Sequence, residues 1–247
     1  MTSAVRRSTA WGASGTSEAL ARALARLLLP GSCAACGGDA DGALCAACLA
    51  TCRPPPGPRC PRCGEGGVAP AARCPRCARF GRTFAFARAS AMWRYEGRVR
   101  LLVHAFKYRG ARGVLGGLGR RMARTPTLLP GRGARVVTCV PLRPFTRWRR
   151  GYNQAEDLAQ GFARERGWPF ARDALARRRG GPSQVGAALG RRRRQARAAF
   201  RARPELVDGR RVVLVDDVLS TGATADACTR ALLVAGASRV DVVTLAG

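Results

Sequence analysis

From about residue 81 onward the apolar positions follow two alternating patterns, short near-continuous runs and longer stretches at helical spacing. A continuous run reads as a strand buried on both faces, and apolar residues three and four apart read as one face of a helix. On that basis a strand is predicted near Phe84–Tyr95, then a turn at Glu96-Gly97 and an amphipathic helix from about Val99 to Tyr108. A second strand over Arg135–Val140 stops at Pro141, a basic loop follows, and a helix over Ala155–Arg166 turns Leu158 and Phe162 inward. Val212–Val215 begins a further strand, followed by a helix from about Ala223 to Val234 closed by Gly236 and a last strand over Val240–Leu245. Strands alternating with helices predict an α/β fold with a mostly parallel sheet and right-handed crossovers.

The first eighty residues obey another logic. Residues 1 to about 15 have no periodicity and are expected to be disordered, whereas Leu20, Leu24, Leu27 and Leu28 recur at helical spacing around Arg22 and Arg26. They predict a short amphipathic helix, stopped by Pro30 and packed on the cysteine-rich segment after it. After Leu49 large aliphatic side chains almost vanish until about residue 80. The pattern thus divides the chain into 1–30, 31–80 and 81–247.

Cysteine supplies what burial lacks in the middle segment. Eight of the 11 cysteines form four Cys-x-x-Cys pairs, a spacing that suits tetrahedral thiolate ligation of zinc. Cys33, Cys36, Cys45 and Cys48 make one candidate set, and Cys60, Cys63, Cys74 and Cys77 a second, with Gly37-Gly38 and Gly64 at the tight turns. Each set is expected to hold one structural Zn²⁺, because a catalytic zinc keeps an open position and the lone His104 lies outside the segment. Interleaved pairing of the two sets is an alternative, and Cys52 is a further candidate ligand. Cys139 and Cys228 fall in apolar patterns and read as core. Disulfides in an oxidising compartment are the competing reading, but no secretory signal is visible. Arg6-Arg7 before an apolar stretch could be mistaken for a twin-arginine export signal, but Arg22 and Arg26 interrupt that stretch at helical spacing, and no run of about 18 apolar residues exists to span a membrane. A cytoplasmic location without membrane contact is expected.

The richest chemistry lies at Val212–Thr224, VVLVDDVLSTGAT, where an apolar strand runs into Asp216-Asp217 and a small hydroxyl- and glycine-rich turn. In open α/β sheets ligands sit just past the carboxyl ends of such strands. Asp216 and Asp217 can accept hydrogen bonds from vicinal ribose hydroxyls or hold a hydrated Mg²⁺. The backbone N–H groups of Thr221, Gly222 and Ala223 face the start of the following helix, an end that attracts phosphate. Gly222 allows close approach, and Ser220, Thr221 and Thr224 add hydroxyl donors without negative charge. The stretch reads as a sugar-phosphate cradle. A Walker B strand would need a glycine-rich loop ending in Lys then Ser or Thr, yet the only lysine, Lys107, is followed by Tyr108. A buried strand with a polar end and a helix cap is the plainest alternative.

This segment resembles the 5-phosphoribosyl 1-pyrophosphate (PRPP) motif of type I phosphoribosyltransferases, and an ordered set of further residues resembles the ComF family. Those residues are Pro141-Leu142-Arg143 after an apolar strand, Arg150-Gly151-Tyr152-Asn153-Gln154-Ala155, Ser183-Gln184, a basic run ending in Ala199-Phe200, and the cysteine-rich start. The likeness runs from about Leu27 to the end of the chain. It implies a sheet of the type I phosphoribosyltransferase kind preceded by a double zinc ribbon, with PRPP and Mg²⁺ as ligands. By resemblance, Pro141, Leu142 and Arg143 occupy the pyrophosphate loop, with Arg147, Arg149 and Arg150 adding positive charge. Charge of that sign suits departure of pyrophosphate from an oxocarbenium-like transition state. Asn153 and Gln154 would orient an acceptor or the pyrophosphate, or else cap a helix. Arg177–Phe200 corresponds to a mobile lid, with Gln184 and Arg192 as ligand candidates. Gln195 stands where the family has Asn. Ser220 replaces the carboxylate that purine phosphoribosyltransferases often carry before Thr-Gly, which argues against an oxo-purine acceptor.

The formal charge of +29 adds an expectation of polyanion affinity. Arg177–Arg179 and Arg191–Arg194, with Trp148 and Tyr152 beside another arginine group, combine phosphate attraction with stacking platforms for single-stranded nucleic acid. The plainer reading is a GC-rich genome's bias, since 43 of the 44 basic residues are arginine. Three function classes emerge: a phosphoribosyltransferase with unnamed acceptor, a PRPP-regulated factor handling single-stranded DNA during uptake, and a zinc-ribbon adaptor for a competence helicase or other competence protein.

Overall fold

The computed structural model describes residues 31–69, 74–79, 84–130, 133, 135–178 and 199–247. The expected N-terminal helix and disordered start, Ser183, Gln184, the basic run 191–194 with Arg192, and Gln195 lie outside them. Among the described residues no helix is long and apolar enough to cross a membrane.

A four-stranded, wholly parallel sheet forms the centre, in the order β1 (Arg88–Trp93), β6 (Arg239–Ala246), β5 (Arg211–Val218), β2 (Val136–Cys139). The register between its two middle strands sets Asp216 beside Thr244 and Val212 beside Val240. Val212, Val213, Leu214 and Val215 have no exposed surface, which is why this strand reads as an unbroken apolar run rather than an alternating one. Alternate residues serve opposite faces. Val213, Val215, Val243 and Leu245 join one core with Phe106, Met122, Leu158 and Phe162, while Val212, Leu214, Val240 and Val242 join another with Cys228, Leu232, Leu175 and Phe200.

The first core is roofed by three helices, Gly97–Tyr108 and Leu115–Arg124 between β1 and β2, and Gln154–Arg166 after β2. The second is covered by the Ala223–Val234 helix and by an antiparallel hairpin, β3 (Leu175–Arg177) with β4 (Phe200–Ala202). The elements predicted within the described residues are all present, with β1 shorter than its apolar run because Phe84 and Phe86 leave the strand to stack on each other at 4.7 Å. The stretch after Pro141, expected as a basic loop, contains a seven-residue helix, Pro144–Arg150, which proline starts and Gly151 ends in the left-handed region. The Leu115–Arg124 helix went unread because glycines interrupt its periodicity.

The cysteine-rich segment is not suspended from the sheet; it closes the edge of it. Ala89 N–H in β1 donates to Arg62 O at 2.8 Å, and Arg94 N–H donates to Arg53 O at 2.8 Å. A Cβ on Gly64, at φ +72°, would lie 2.5 Å from Ala89 O, so only glycine lets this turn sit against the strand. Cys33, Leu44 and Cys48 pack in the first core with Met92 and Trp93, and Cys60, Cys63, Val68 and Cys74 pack in the second with Phe84, Phe86 and Ala89. The segment therefore straddles β1 and contributes to both faces.

Glycine also sets the helix pair over the first core. A Cβ on Gly119 would meet Leu158 O at 2.1 Å, and one on Gly161 would meet Gly116 O at 2.3 Å. Gly161→Ala is expected to destabilise the protein by about 1–3 kcal/mol through this overpacking. Gly117→Ala, whose Cβ meets only the Arg120 side chain at 3.8 Å, is expected to be neutral or slightly stabilising. Urea midpoints of the two variants check the contrast.

Candidate functional site

The carboxyl ends of the two adjacent strands β2 and β5 form the site. At the end of β5, Asp216 is half-buried and Asp217 buried. Burial, and then the neighbouring charge of Asp217, hold the Asp216 carboxyl well above the usual carboxylate range, partly offset by the N–H of Asp217 donating to Asp216 Oδ1 at 2.9 Å. Asp217 Oδ2 receives two donors from helices on the sheet's first face, Lys107 Nζ at 2.8 Å and Gln154 Nε2 at 3.0 Å. Gln154 Oε1 in turn accepts from Arg150 Nη1 at 2.5 Å, and the Arg150 guanidinium lies 5.8 Å from the Tyr108 ring centroid. Lys107, Asp217, Gln154 and Arg150 thus form one polar chain across the floor of the site.

At the end of β2, Val140 N–H donates to Val215 O at 3.0 Å, and Pro141, Leu142 and the exposed Arg143 follow. Asn153, buried, caps its helix by accepting from Ala155 N–H at 3.2 Å and donates through Nδ2 to Val140 O at 3.0 Å. It ties the loop to the helix, whereas its neighbour Gln154 faces the carboxylates. Arg147 is engaged by the buried Glu156 at 3.1 Å, which also pairs with Arg172. Arg143 and Arg149 are exposed, with no carboxylate partner among the described residues.

Past Asp217 the chain turns under a helix start. Leu219 N–H donates to Ala246 O at 2.8 Å, Ser220, Thr221, Ala223 and Thr224 are exposed, and Gly222 is buried at φ +78°. A Cβ on Gly222 would stand 3.0 Å from the Phe84 ring. The Ala223–Val234 helix starts without a side-chain cap at Gly222, although Thr221 Oγ1 accepts from Ala223 N–H at 3.3 Å. Its leading amides face the turn as an anion-attracting end. Asp226, in the first turn, accepts instead from Ala85 N–H at 2.6 Å. Arg76, beside Cys77, donates to Leu219 O at 3.4 Å and pairs with Glu65, so the cysteine-rich segment touches the turn.

The eight paired cysteines form two clusters, Cys33 with Cys36, Cys45 and Cys48, and Cys60 with Cys63, Cys74 and Cys77, each with its sulfurs within 4.8 Å of one another. A tetrahedral ion with Zn–S bonds of about 2.3 Å holds its sulfurs roughly 3.8 Å apart. Observed separations of 3.8 Å for Cys36–Cys45, 3.8 Å for Cys60–Cys77 and 3.5 Å for Cys63–Cys74 fit that ion, and all are far beyond a disulfide bond. The pairing is consecutive, not interleaved, and Cys52 stands aside with its thiol on Cys48 O at 3.4 Å. Burial opposes ionisation of Cys33, yet nearby backbone N–H groups bring its thiol down to about 6, while burial and the neighbouring sulfurs push Cys48 up to about 12. Metal must therefore expel protons to bind.

Gln184 and Arg192 lie outside the described residues. The hairpin that leads to them is in place: Arg178 N–H donates to Ala199 O at 2.9 Å, pinning both ends of the connection. Tyr152, expected as a stacking platform, is buried instead, its hydroxyl donating to Phe106 O, because its ring fills the core under Arg112. Trp148 is 80% exposed, and Phe145 (69%) and Tyr108 (62%) are exposed with it. Sequence reasoning missed Lys107 as a site residue; the available signal was one lysine among 44 basic residues.

The parallel sheet is that of a type I phosphoribosyltransferase fold, and the two cysteine clusters join it to a double zinc ribbon. The phosphoribosyl transferase domain family matches residues 148–247, and the double zinc ribbon domain family matches residues 24–84. The chain is 35% identical over 151 residues to DNA utilization protein YhgH of Escherichia coli O157:H7, a match spanning 58% of this chain and 64% of that protein. It is 34% identical over 109 residues to Competence protein F of Haemophilus influenzae, spanning 43% and 48%. Over these segments the chain is similar to DNA utilization and competence proteins of the ComF kind, and it spans 64% or less of the length of these two relatives. Among solved structures, a glutamine PRPP amidotransferase from B. subtilis aligns over 57% of this chain and 30% of its own at 24% identity, with a TM-score of 0.43.

Cys36→Ser and Cys77→Ser are each expected to lower bound zinc from two ions to one per chain, read by elemental analysis. Because four thiolates are required, zinc affinity should fall as pH falls, and zinc titration into chelator-stripped protein near pH 7 should release protons into weak buffer.

Proposed function

We propose that the chain binds PRPP with Mg²⁺ across the ends of β2 and β5 and transfers its phosphoribosyl group to an acceptor in the course of DNA utilisation. The observation that carries this reading is the polar chain from Lys107 through Asp217 and Gln154 to Arg150. It links the place where ribose hydroxyls would meet carboxylates to the place where a leaving pyrophosphate would meet arginine. In this reading the 5-phosphate rests on the amides and hydroxyls of Ser220, Thr221, Gly222, Ala223 and Thr224. Asp216 and Asp217 take the ribose hydroxyls, Pro141, Leu142 and Arg143 line the pyrophosphate, and Gln184 and Arg192 belong to a lid over it. Mg²⁺, when bound, offsets charge on the pyrophosphate. The donor set supports such a site, since two carboxylates stand within reach of hydroxyls and a hydrated cation. The zinc ribbon at 31–80 is structural and the unit at 81–247 carries the chemistry, in the cytoplasm.

A second reading shares this site. Phe145 and Trp148 expose their rings, 6.2 Å apart, on the helix that follows the proposed pyrophosphate loop, among Arg143, Arg147 and Arg149. That combination suits stacking and phosphate contacts to single-stranded DNA, with PRPP as regulator rather than substrate.

Calorimetry of the zinc-loaded protein with PRPP and Mg²⁺ tests the first reading. Asp216→Asn with Asp217→Asn is expected to weaken binding at least tenfold, about 1.4 kcal/mol. Pyrophosphate release on adding candidate acceptors supports transfer, and binding without release supports the regulatory reading. Phe145→Ala with Trp148→Ala is expected to weaken a labelled oligonucleotide by roughly 1–3 kcal/mol per stacked base, leaving PRPP affinity unchanged.

A further inference from the structure

Lys107 comes from the helix that roofs the first core, outside the matched phosphoribosyl transferase segment, yet its ammonium reaches the acidic pair. Its only described hydrogen-bond or ion-pair partner is Asp217 Oδ2, at 2.8 Å, and its side chain is 23% exposed, so the remaining N–H donors have access to the site. Gln154 fills the second approach to the same oxygen at 3.0 Å. An ammonium is a compact point charge with three donors, and here it stands on the carboxylate where a divalent cation would otherwise settle.

We propose that Lys107 is the resident counter-ion of Asp217, a positioning residue that keeps a bare divalent cation off the acidic pair and keeps the pair hospitable to an anionic sugar phosphate. A metal arriving at Asp217 must displace or repel the ammonium, so the ligand-free protein takes Mg²⁺ poorly. An anion arriving between Arg143 and the helix start meets carboxylates whose charge is already answered. Cation and anion then enter together, as a complex. The second half of this inference rests on the PRPP reading; the first half does not.

The experiment is titration of Mn²⁺, as a paramagnetic stand-in for Mg²⁺, into the zinc-loaded full chain with no sugar phosphate present, read by loss of the free-ion resonance. Lys107→Gln is expected to bind Mn²⁺ at least tenfold more tightly than the natural protein, and adding Asp217→Asn is expected to abolish that gain. Lys107→Arg, which keeps the charge, is expected to stay within about threefold of the natural protein. Equal Mn²⁺ affinity in the natural protein and Lys107→Gln would overturn the proposal, as would an Arg variant that behaves like Gln. Should Lys107→Gln melt below the assay temperature, Lys107→Met replaces it with the same expectation. A parallel titration with PRPP at low and high Mg²⁺ separates the two claims. With PRPP binding intact, Lys107→Gln loses affinity at low Mg²⁺ and recovers it at high Mg²⁺, and a loss independent of Mg²⁺ contradicts the proposal. Absence of PRPP binding by the natural protein fails the earlier reading while leaving the Mn²⁺ comparison decisive for Lys107.

Discussion

Everything at the site depends on keeping two adjacent carboxylates at the end of a strand that is otherwise buried on both faces. Such a pair is costly to hold ionised next to an apolar core, and the structure answers that cost unequally. Asp216 is held toward its protonated form by burial and by its neighbour's charge, while Asp217 receives Lys107 and Gln154. Those two donors come from different helices, so satisfying one carboxylate fixes the Gly97–Tyr108 and Gln154–Arg166 helices against the carboxyl end of the sheet. The contact that makes the site tolerable also gives it its shape.

The zinc ribbon solves a separate problem, an exposed sheet edge. β1 would present unpaired backbone groups, yet Ala89 and Arg94 find carbonyl partners at Arg62 and Arg53 in the cysteine-rich segment. That segment cannot fold by burial alone, so the two thiolate clusters stabilise it and it completes both cores in return. Arg76 then extends the same unit to Leu219, beside the turn proposed to hold phosphate. Removing residues 31–80 would therefore strip the sheet edge as well as any partner surface, which makes point changes at the cysteines more informative than deletion.

Much of this was legible in the chain. The parallel strands could be read because Val212–Val215 and Val240–Leu245 are buried on both faces, and the zinc clusters because thiolate spacing is a chemical constraint rather than a packing one. Helix starts with strong signals were also visible, such as Asn153 before its helix. The Leu115–Arg124 helix was not, since Gly116, Gly117 and Gly119 lower its local propensity, and the partner helix that requires Gly119 is distant in sequence. Tyr152 was misread as a surface ring because neighbouring arginines mark charge, not exposure. Lys107 could not be placed, because a contact 110 residues along the chain leaves no periodic trace.

The most direct measurement is backbone amide hydrogen exchange of the zinc-loaded protein with and without PRPP and Mg²⁺. Slowed exchange is expected at two separated stretches together, residues 140, 142 and 143 after β2 and 219–226 after β5, with little change in the ribbon around 33–48. Protection confined to the ribbon or the exposed 144–150 helix, or no protection at saturating ligand, would contradict a PRPP site spanning these two strand ends.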